Sequence, residues 1–379
     1  MAVHEIRIDP ALSLREEPGT GHNRWHPDIP PVVSCAPGDE VVLGTRDAFD
    51  GQFDMSSTAE SVAAADLSVV HPLTGPVFVE GAEPGDLLEV EILEVTPDAF
   101  GFTAQAPGVG FLSDEFPDPF LVRWTIADGW ATSADLPGVR IPGAPFMGTI
   151  GLAPGPDTLR RITERERTVL ELGAPALPPS AAGAVPSKPE IASTGLRTVP
   201  PREQGGNVDI KQLTAGSRLF LPVDAPGALF SAGDAHFAQG DGETCGTAIE
   251  MRATLRVRFA VHKGEAREKG ITAPRFSRDE YWVAPEFAAP RRFFATTGLS
   301  MSRDGATVVA EDVSLAARNA VLNMVDHLCE RGWSRQQAYA ICSVAVDLRI
   351  SQVVNVPNFL VSAFLPLDIF TDQRVPITG

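Results

Sequence analysis

Apolar and polar residues alternate most clearly between positions 255 and 262. Leu255, Val257, Phe259 and Val261 fall on one side, Arg256, Arg258 and His262 on the other. Side chains along an extended strand point alternately to opposite faces, so this spacing predicts a half-buried strand. Apolar runs at Glu40–Leu43, Leu87–Val95, Phe120–Ile126, Arg218–Val223 and Val361–Leu365 predict further strands. Pro37-Gly38-Asp39 and Pro84-Gly85-Asp86 each stand directly before such a run and read as the turns that launch it. The 34 glycines and 33 prolines are spread along the chain, which suits many short strands joined by turns.

A helical period takes over late in the chain. Ala317, Val321, Met324, Val325 and Leu328 form one stripe within 312–331, with Gly332 as a stop. Ser334 reads as the N-cap of a second helix running to about Asp347. The pattern predicts a mainly β chain with a few C-terminal helices. Residues 172–206 are rich in Pro and Ala and read as a stiff, extended connection crossing the surface. The expected organisation is a β-rich half at 1–171, this connection at 172–206, and a β-rich half with two helices at 207–379, together one compact unit.

Composition narrows the function. With 31 basic and 49 acidic residues the formal charge is −18, and no basic run could meet nucleic-acid phosphate. The same charge repels anions and leaves neutral or cationic small molecules easier to admit. Cys35, Cys245, Cys329 and Cys342 are far apart and form no disulfide framework. Met1–Arg7 lacks the apolar core of a signal peptide, and the apolar run at Phe359–Phe370 is broken by Pro366 and Asp368. These features predict a cytoplasmic protein with no membrane partner.

Candidate chemistry concentrates between Gly233 and Glu243. Asp234 and His236 are two apart, so on a strand they share a face and can reach one point. A carboxylate and an imidazole make a suitable ligand pair for Zn²⁺ or a similar cation. Glu243 follows in a Gly-rich acidic turn. An isolated Asp-x-His is more often a polar turn with a satisfied histidine. Asn207, Asp209 and Lys211 would share the polar face of a second strand and could orient a small polar substrate; a solvated edge strand is the competing reading. Asp47, before the Asp50-Gly51 turn, and His71, in a proline-stiffened loop, are further ligand candidates. His22 and His26 flank Trp25 and could shape a pocket entrance. The Gly-x-Ser-x-Gly elbow, His-Glu-x-x-His and a P-loop are all absent, which shifts weight from a serine nucleophile towards a metal.

Blocks at Arg46–Gln52, Thr74–Asp86, Gly205–Asp209, Gly227–His236 and Gln239–Glu243 resemble the acetamidase/formamidase family, in order, from about His22 to Asn358. The resemblance implies hydrolysis of short linear amides to ammonia and a carboxylic acid. It also implies a β-sandwich-type architecture, a homo-oligomer, and a divalent metal in at least some members, with Zn²⁺ expected and Ca²⁺ the alternative. Asp47, Asp234, His236 and His71 are the expected metal ligands, with His71 resting on its rigid loop and not on the resemblance. Glu243 or Glu80 would move a proton, with Asn207 and Asp209 beside them in the catalytic set. Lys211, Gln239, Trp25 and His22 would contact substrate. A γ-lactamase is the alternative enzyme; a non-enzymatic β-sandwich binding module is disfavoured by the 7% aromatic content.

Overall fold

The computed structural model describes residues 1–280 and 292–371. Its principal strands are β1 (Glu40–Thr45), β2 (Leu73–Val79), β3 (Leu87–Gln105), β4 (Phe120–Ala127), β5 (Phe146–Gly151), β6 (Gly205–Asn207), β7 (Ser217–Pro222), β8 (Phe230–His236), β9 (Glu250–His262), β10 (Phe293–Leu299), β11 (Asp347–Gln352) and β12 (Leu360–Pro366). The three longest described helices are α1 (Pro156–Glu171), α2 (Val313–Cys329) and α3 (Arg335–Ala345).

Each run expected to be extended is a strand. In β9, Leu255, Val257 and Phe259 are buried, while Arg258 pairs with Glu40 at 2.6 Å on the polar face. Gly38 and Gly85 adopt φ of +91° and +96°, the left-handed conformations that glycine tolerates, in the turns before β1 and β3. The late helices also form as expected. Asp312 caps α2 by accepting from Leu315 N–H at 2.9 Å, and Ser334 and Gln337 form a capping box on α3.

β9 is the hub of the large sheet. Along one edge it pairs antiparallel with β3; along the other its first residues pair with β8 and later ones with β1. β8 also pairs with β5 and β2, and β5 with β6. Buried residues from these strands, β4 and β7 meet α2 and α3 in one apolar cluster, so the sheet curls around its own apolar face. A separate three-stranded antiparallel sheet, in the order β10, β12, β11, packs against α2.

Three features depart from the sequence pattern. The 172–206 connection is not extended throughout, because Pro189–Ala192 forms a short helix, while strands before and after it pair in one sheet. It is also held from within: the fully buried Arg24 donates to the carbonyls of Ser180 and Ala182, and Ile191 and Leu196 are buried. The helix α1 was not expected. Charged residues crowd it and leave a thin inward stripe of Leu159, Ile162 and Val169, with Thr158 buried beside Ile162. Finally, β6 ends at Asn207 and Asp209 takes φ +46°, so Asn207, Asp209 and Lys211 do not line up along one strand face.

Candidate active site

The site grows from the end of β8. Asp234, at φ +57°, and His236 are both buried, and His236 Nε2 lies 3.3 Å from Asp234 Oδ1. Strand register does the rest. Glu250 stands directly opposite His236 in the β8–β9 pair and brings Oε2 to 3.2 Å from the same Nε2. Phe146 stands opposite on β5, with its ring edge-on to the imidazole at 5.1 Å between centroids. Glu243 Oε1 lies 3.9 Å from His236 Nε2, and His71 Nε2 lies 3.9 Å from Asp234 Oδ2. Gly148 on β5 forms the floor: an added Cβ would stand 2.7 Å from Asp209 Oδ1, 2.7 Å from His236 Cε1 and 2.8 Å from Asp234 Oδ2.

Gln239 orients the histidine. Its Oε1 accepts from His236 Nδ1–H at 2.9 Å, and its Nε2 donates to the Asp209 carbonyl at 2.9 Å. Nε2 therefore faces the carboxylates. His236 Nε2, Glu250 Oε2 and Asp209 Oδ1 are buried atoms without a hydrogen-bond partner. A neutral Nε2 would aim its lone pair at two carboxylates, so a positive charge belongs at this point, either a proton or a metal ion. Among the described residues, Asp209, Asp234 and His236 form one donor set able to hold a metal, and His236, Glu243 and Glu250 another, each within 4.8 Å.

Electrostatics follow from burial and crowding. Burial opposes ionisation of Asp234, yet His71 and His236 beside it hold its carboxyl well below the usual range. Burial pushes Glu243 well above that range, and the Asp209 carboxylate adds to the shift. Burial likewise raises Glu250 and Asp209, against the pull of His236. Glu243 keeps 17% side-chain exposure, which leaves this side of the group open to a small molecule.

The sequence model of the acetamidase/formamidase family matches residues 7–372. The chain belongs to the acetamidase/formamidase family. It is 38% identical to an acetamidase from Mycolicibacterium smegmatis over 361 residues, covering 88% of this chain and 87% of that protein. It is 37% identical to a formamidase from Methylophilus methylotrophus over 385 residues, covering 96% and 93%. A γ-lactamase from Delftia acidovorans superposes with a TM-score of 0.93 at 37% identity, covering 99% of this chain and 95% of that one.

In this acetamidase/formamidase-family chain the fold gathers Asp234, His236, His71, Asp209 and Glu243. It brings Asn207 alongside through Thr149, whose hydroxyl lies 2.9 Å from Asn207 Oδ1 and 3.1 Å from Asp234 Oδ2. Other expected residues lie elsewhere. Glu80 is exposed on the turn after β2, with its N–H donating to the Cys35 carbonyl. Asp47 accepts from the N–H groups of Phe49 and Gly51, so its carboxylate closes its own turn. Trp25 and His22 are both 1% exposed and shape no pocket mouth: Trp25 packs with Leu73, Ile162 and Leu196, and His22 Nε2 meets Ser231 Oγ at 2.8 Å. Gln239 holds His236 and Asp209, and Lys211 is ion-paired with Asp347; neither is free for substrate.

Glu250, Thr149 and Gly148 escaped sequence reasoning. Glu250 precedes the alternating stretch, and extending that alternation backwards places it with Arg252 and Thr254 on the polar face. The alternation does run back through Met251 and Ala253, and Glu250 is buried on the polar face only because it stands opposite His236 across the β8–β9 pair. The one available signal was a lone carboxylate between Ile249 and Met251 at a strand start.

Proposed function

We propose that this protein hydrolyses the C–N bond of short linear amides, such as formamide or acetamide, to ammonia and the carboxylic acid. The observation that carries the reading is the buried convergence of Asp234, Glu250 and Glu243 on the unpartnered Nε2 of His236, on a surface floored by Gly148. Family membership and the two amidase relatives support the substrate class.

The donor set fits a divalent metal. The two donor sets share His236, so the ion would sit at this imidazole with Asp209 and Asp234 on one side or Glu243 and Glu250 on the other, and His71 beside Asp234. One imidazole among carboxylates suits Zn²⁺ better than Ca²⁺, which takes oxygen ligands. When bound, such an ion polarises the amide carbonyl and acidifies a water molecule.

The chain's own groups do the remaining work. Gln239 keeps the His236 ring in one orientation through Nδ1. Glu243, favoured in its protonated form by burial, carries a proton to the amide nitrogen as the C–N bond breaks. The oxygen of water bonds to the carbonyl carbon, and a proton from that water restores Glu243. Asn207 Nδ2 is the side-chain donor for the carbonyl oxygen.

The reading includes a cytoplasmic homo-oligomer that binds neither nucleic acid nor membrane. All four cysteines are free, as a reducing compartment requires, and Ile350, Val353, Val354 and Val356 form an exposed apolar group suited to a subunit contact. Among the described residues no helix is long and apolar enough to cross a membrane. A γ-lactamase is the second reading, favoured by the close superposition on the Delftia enzyme. Elemental analysis of purified protein, run beside ammonia release from a series of linear amides and ring opening of γ-lactams, separates these. Turnover confined to lactams would refute the first reading, and hydrolysis by metal-free protein at the full rate would refute the metal's part in it.

A further inference from the structure

Two carboxylates of the site sit on loops instead of strands: Asp209 follows β6 and Glu243 follows β8. Their φ angles of +46° and +42° are sparsely populated by non-glycine residues and persist only where the surroundings impose them. One ion cluster touches both loops. Lys211, two residues past Asp209, donates from Nζ to Asp347 Oδ1 and lies 3.7 Å from Asp241 Oδ2. Asp347 Oδ1 also accepts from Asp241 N–H at 3.1 Å, and Leu348 N–H donates to the Asp241 carbonyl at 3.0 Å. Asp241 is two residues before Glu243.

Asp347 opens β11, in the C-terminal sheet, 136 residues from Lys211 and 106 from Asp241. Its side chain is 12% exposed, with Arg349 Nη2 at 3.8 Å from its other oxygen. The same C-terminal layer grips the Glu243 loop again: Gly240 N–H donates to the Ser343 carbonyl at 2.8 Å, and Cys245 N–H to Ser343 Oγ at 3.0 Å. The C-terminal layer therefore forms the mould of this loop, and the Lys211–Asp347–Asp241 cluster is where that mould also reaches the Asp209 loop.

We propose that Lys211 and Asp347 are positioning residues: they clamp the loops of Asp209 and Glu243 at a fixed separation and so place the Glu243 carboxyl against His236. The proposal rests on the reading of Glu243 as the group that carries the proton. It assigns Lys211 a role in the site without substrate contact. An exposed ion pair contributes little, but opening this one leaves a largely buried carboxylate without its nearest cation and frees two strained loops.

The test uses the full-length protein with Lys211→Met, Lys211→Arg, Asp347→Asn, the Lys211→Met/Asp347→Asn double variant, and Glu243→Gln. Misplacing a reacting group by about 1 Å can cost about 100-fold, so kcat for amide hydrolysis falls about 10- to 100-fold in Lys211→Met and in Asp347→Asn. KM stays within about threefold, because no substrate contact is removed. Lys211→Arg recovers most of kcat. The double variant is no slower than the slower single one, because both substitutions open the same clamp. Hydrogen exchange of the 240–244 backbone rises in both single variants.

Wild-type kcat in Lys211→Met, additive losses in the double variant, a rise confined to KM, or lost activity with unchanged exchange at 240–244 would each overturn the clamp. If Asp347→Asn does not fold, the Met and Arg variants of Lys211 decide. Retained activity in Glu243→Gln, or a wild-type protein that releases no ammonia, would instead overturn the underlying reading of the site.

Discussion

Replacing Gly148 with alanine tests whether the site is as crowded as its geometry says. The new Cβ would stand 2.7–2.8 Å from Asp209 Oδ1, His236 Cε1 and Asp234 Oδ2. That is roughly 0.8 Å inside the ~3.5 Å separation at which non-bonded heavy atoms attract best. The backbone cannot retreat easily. Thr149 pairs with Gly233 on one side and Asn207 on the other, and the Gly148 carbonyl accepts from Val208 and Asp209 N–H at 2.9 and 3.2 Å. Relief must come from the side chains of Asp209, His236 and Asp234. Overpacking of this kind costs about 1–3 kcal/mol, which lowers Tm by only a few degrees. Displacing the reacting groups by about 1 Å lowers kcat/KM by about 100-fold. The assay is ammonia release across a concentration series of formamide and acetamide, with Tm and bound metal measured on the same preparations. Gly19→Ala is the control, because nothing lies within 4 Å of its added Cβ. Wild-type kcat/KM and metal content in Gly148→Ala would refute the claim that Asp209, Asp234 and His236 work as one packed group.

Glu250→Gln should weaken metal retention by more than the roughly 10- to 100-fold typical of losing an outer-shell partner, measured by elemental analysis after dialysis; normal metal content would remove Glu250 from the ligand set. Glu80→Gln should leave kcat/KM within about twofold, since Glu80 is exposed on a turn; a large loss would return Glu80 to the proton path. His22 gives a pH prediction. Burial pushes its imidazole down from 6.5 to about 4, so the folded protein favours the neutral ring. The stability this confers is complete above about pH 6.5 and is lost as pH falls to about 4, an effect of about 3 kcal/mol. Urea unfolding at pH 7, 5.5 and 4.5 should show that loss in wild type, and His22→Gln should lack that share of it; parallel pH profiles would contradict a buried neutral His22.

Much of this protein is settled by short-range pattern. The alternation in β9, the Pro-Gly-Asp turns, the Asp312 and Ser334 caps and the Asp234–His236 pair all depend on neighbours within a few residues. Side-chain direction along a strand and donor satisfaction at a helix end need no knowledge of the rest of the chain. Even Glu243 could be read as part of the group, because it follows His236 closely.

The remaining features are decided by tertiary structure. Glu250 meets His236 only because of strand register, and register is set by how whole faces bury. The helix α1 shows only a thin apolar stripe among its charges, and it is held against Trp25, Leu73 and Leu196 from distant segments. Glu80, Trp25 and Lys211 had residue types suited to a site but fell on an exposed turn, in an apolar cluster and in an ion pair with Asp347. Chemical type and spacing say what a residue can do. Which atoms meet at Nε2 of His236 depends on loop closure and strand pairing across the whole chain, which no local window contains.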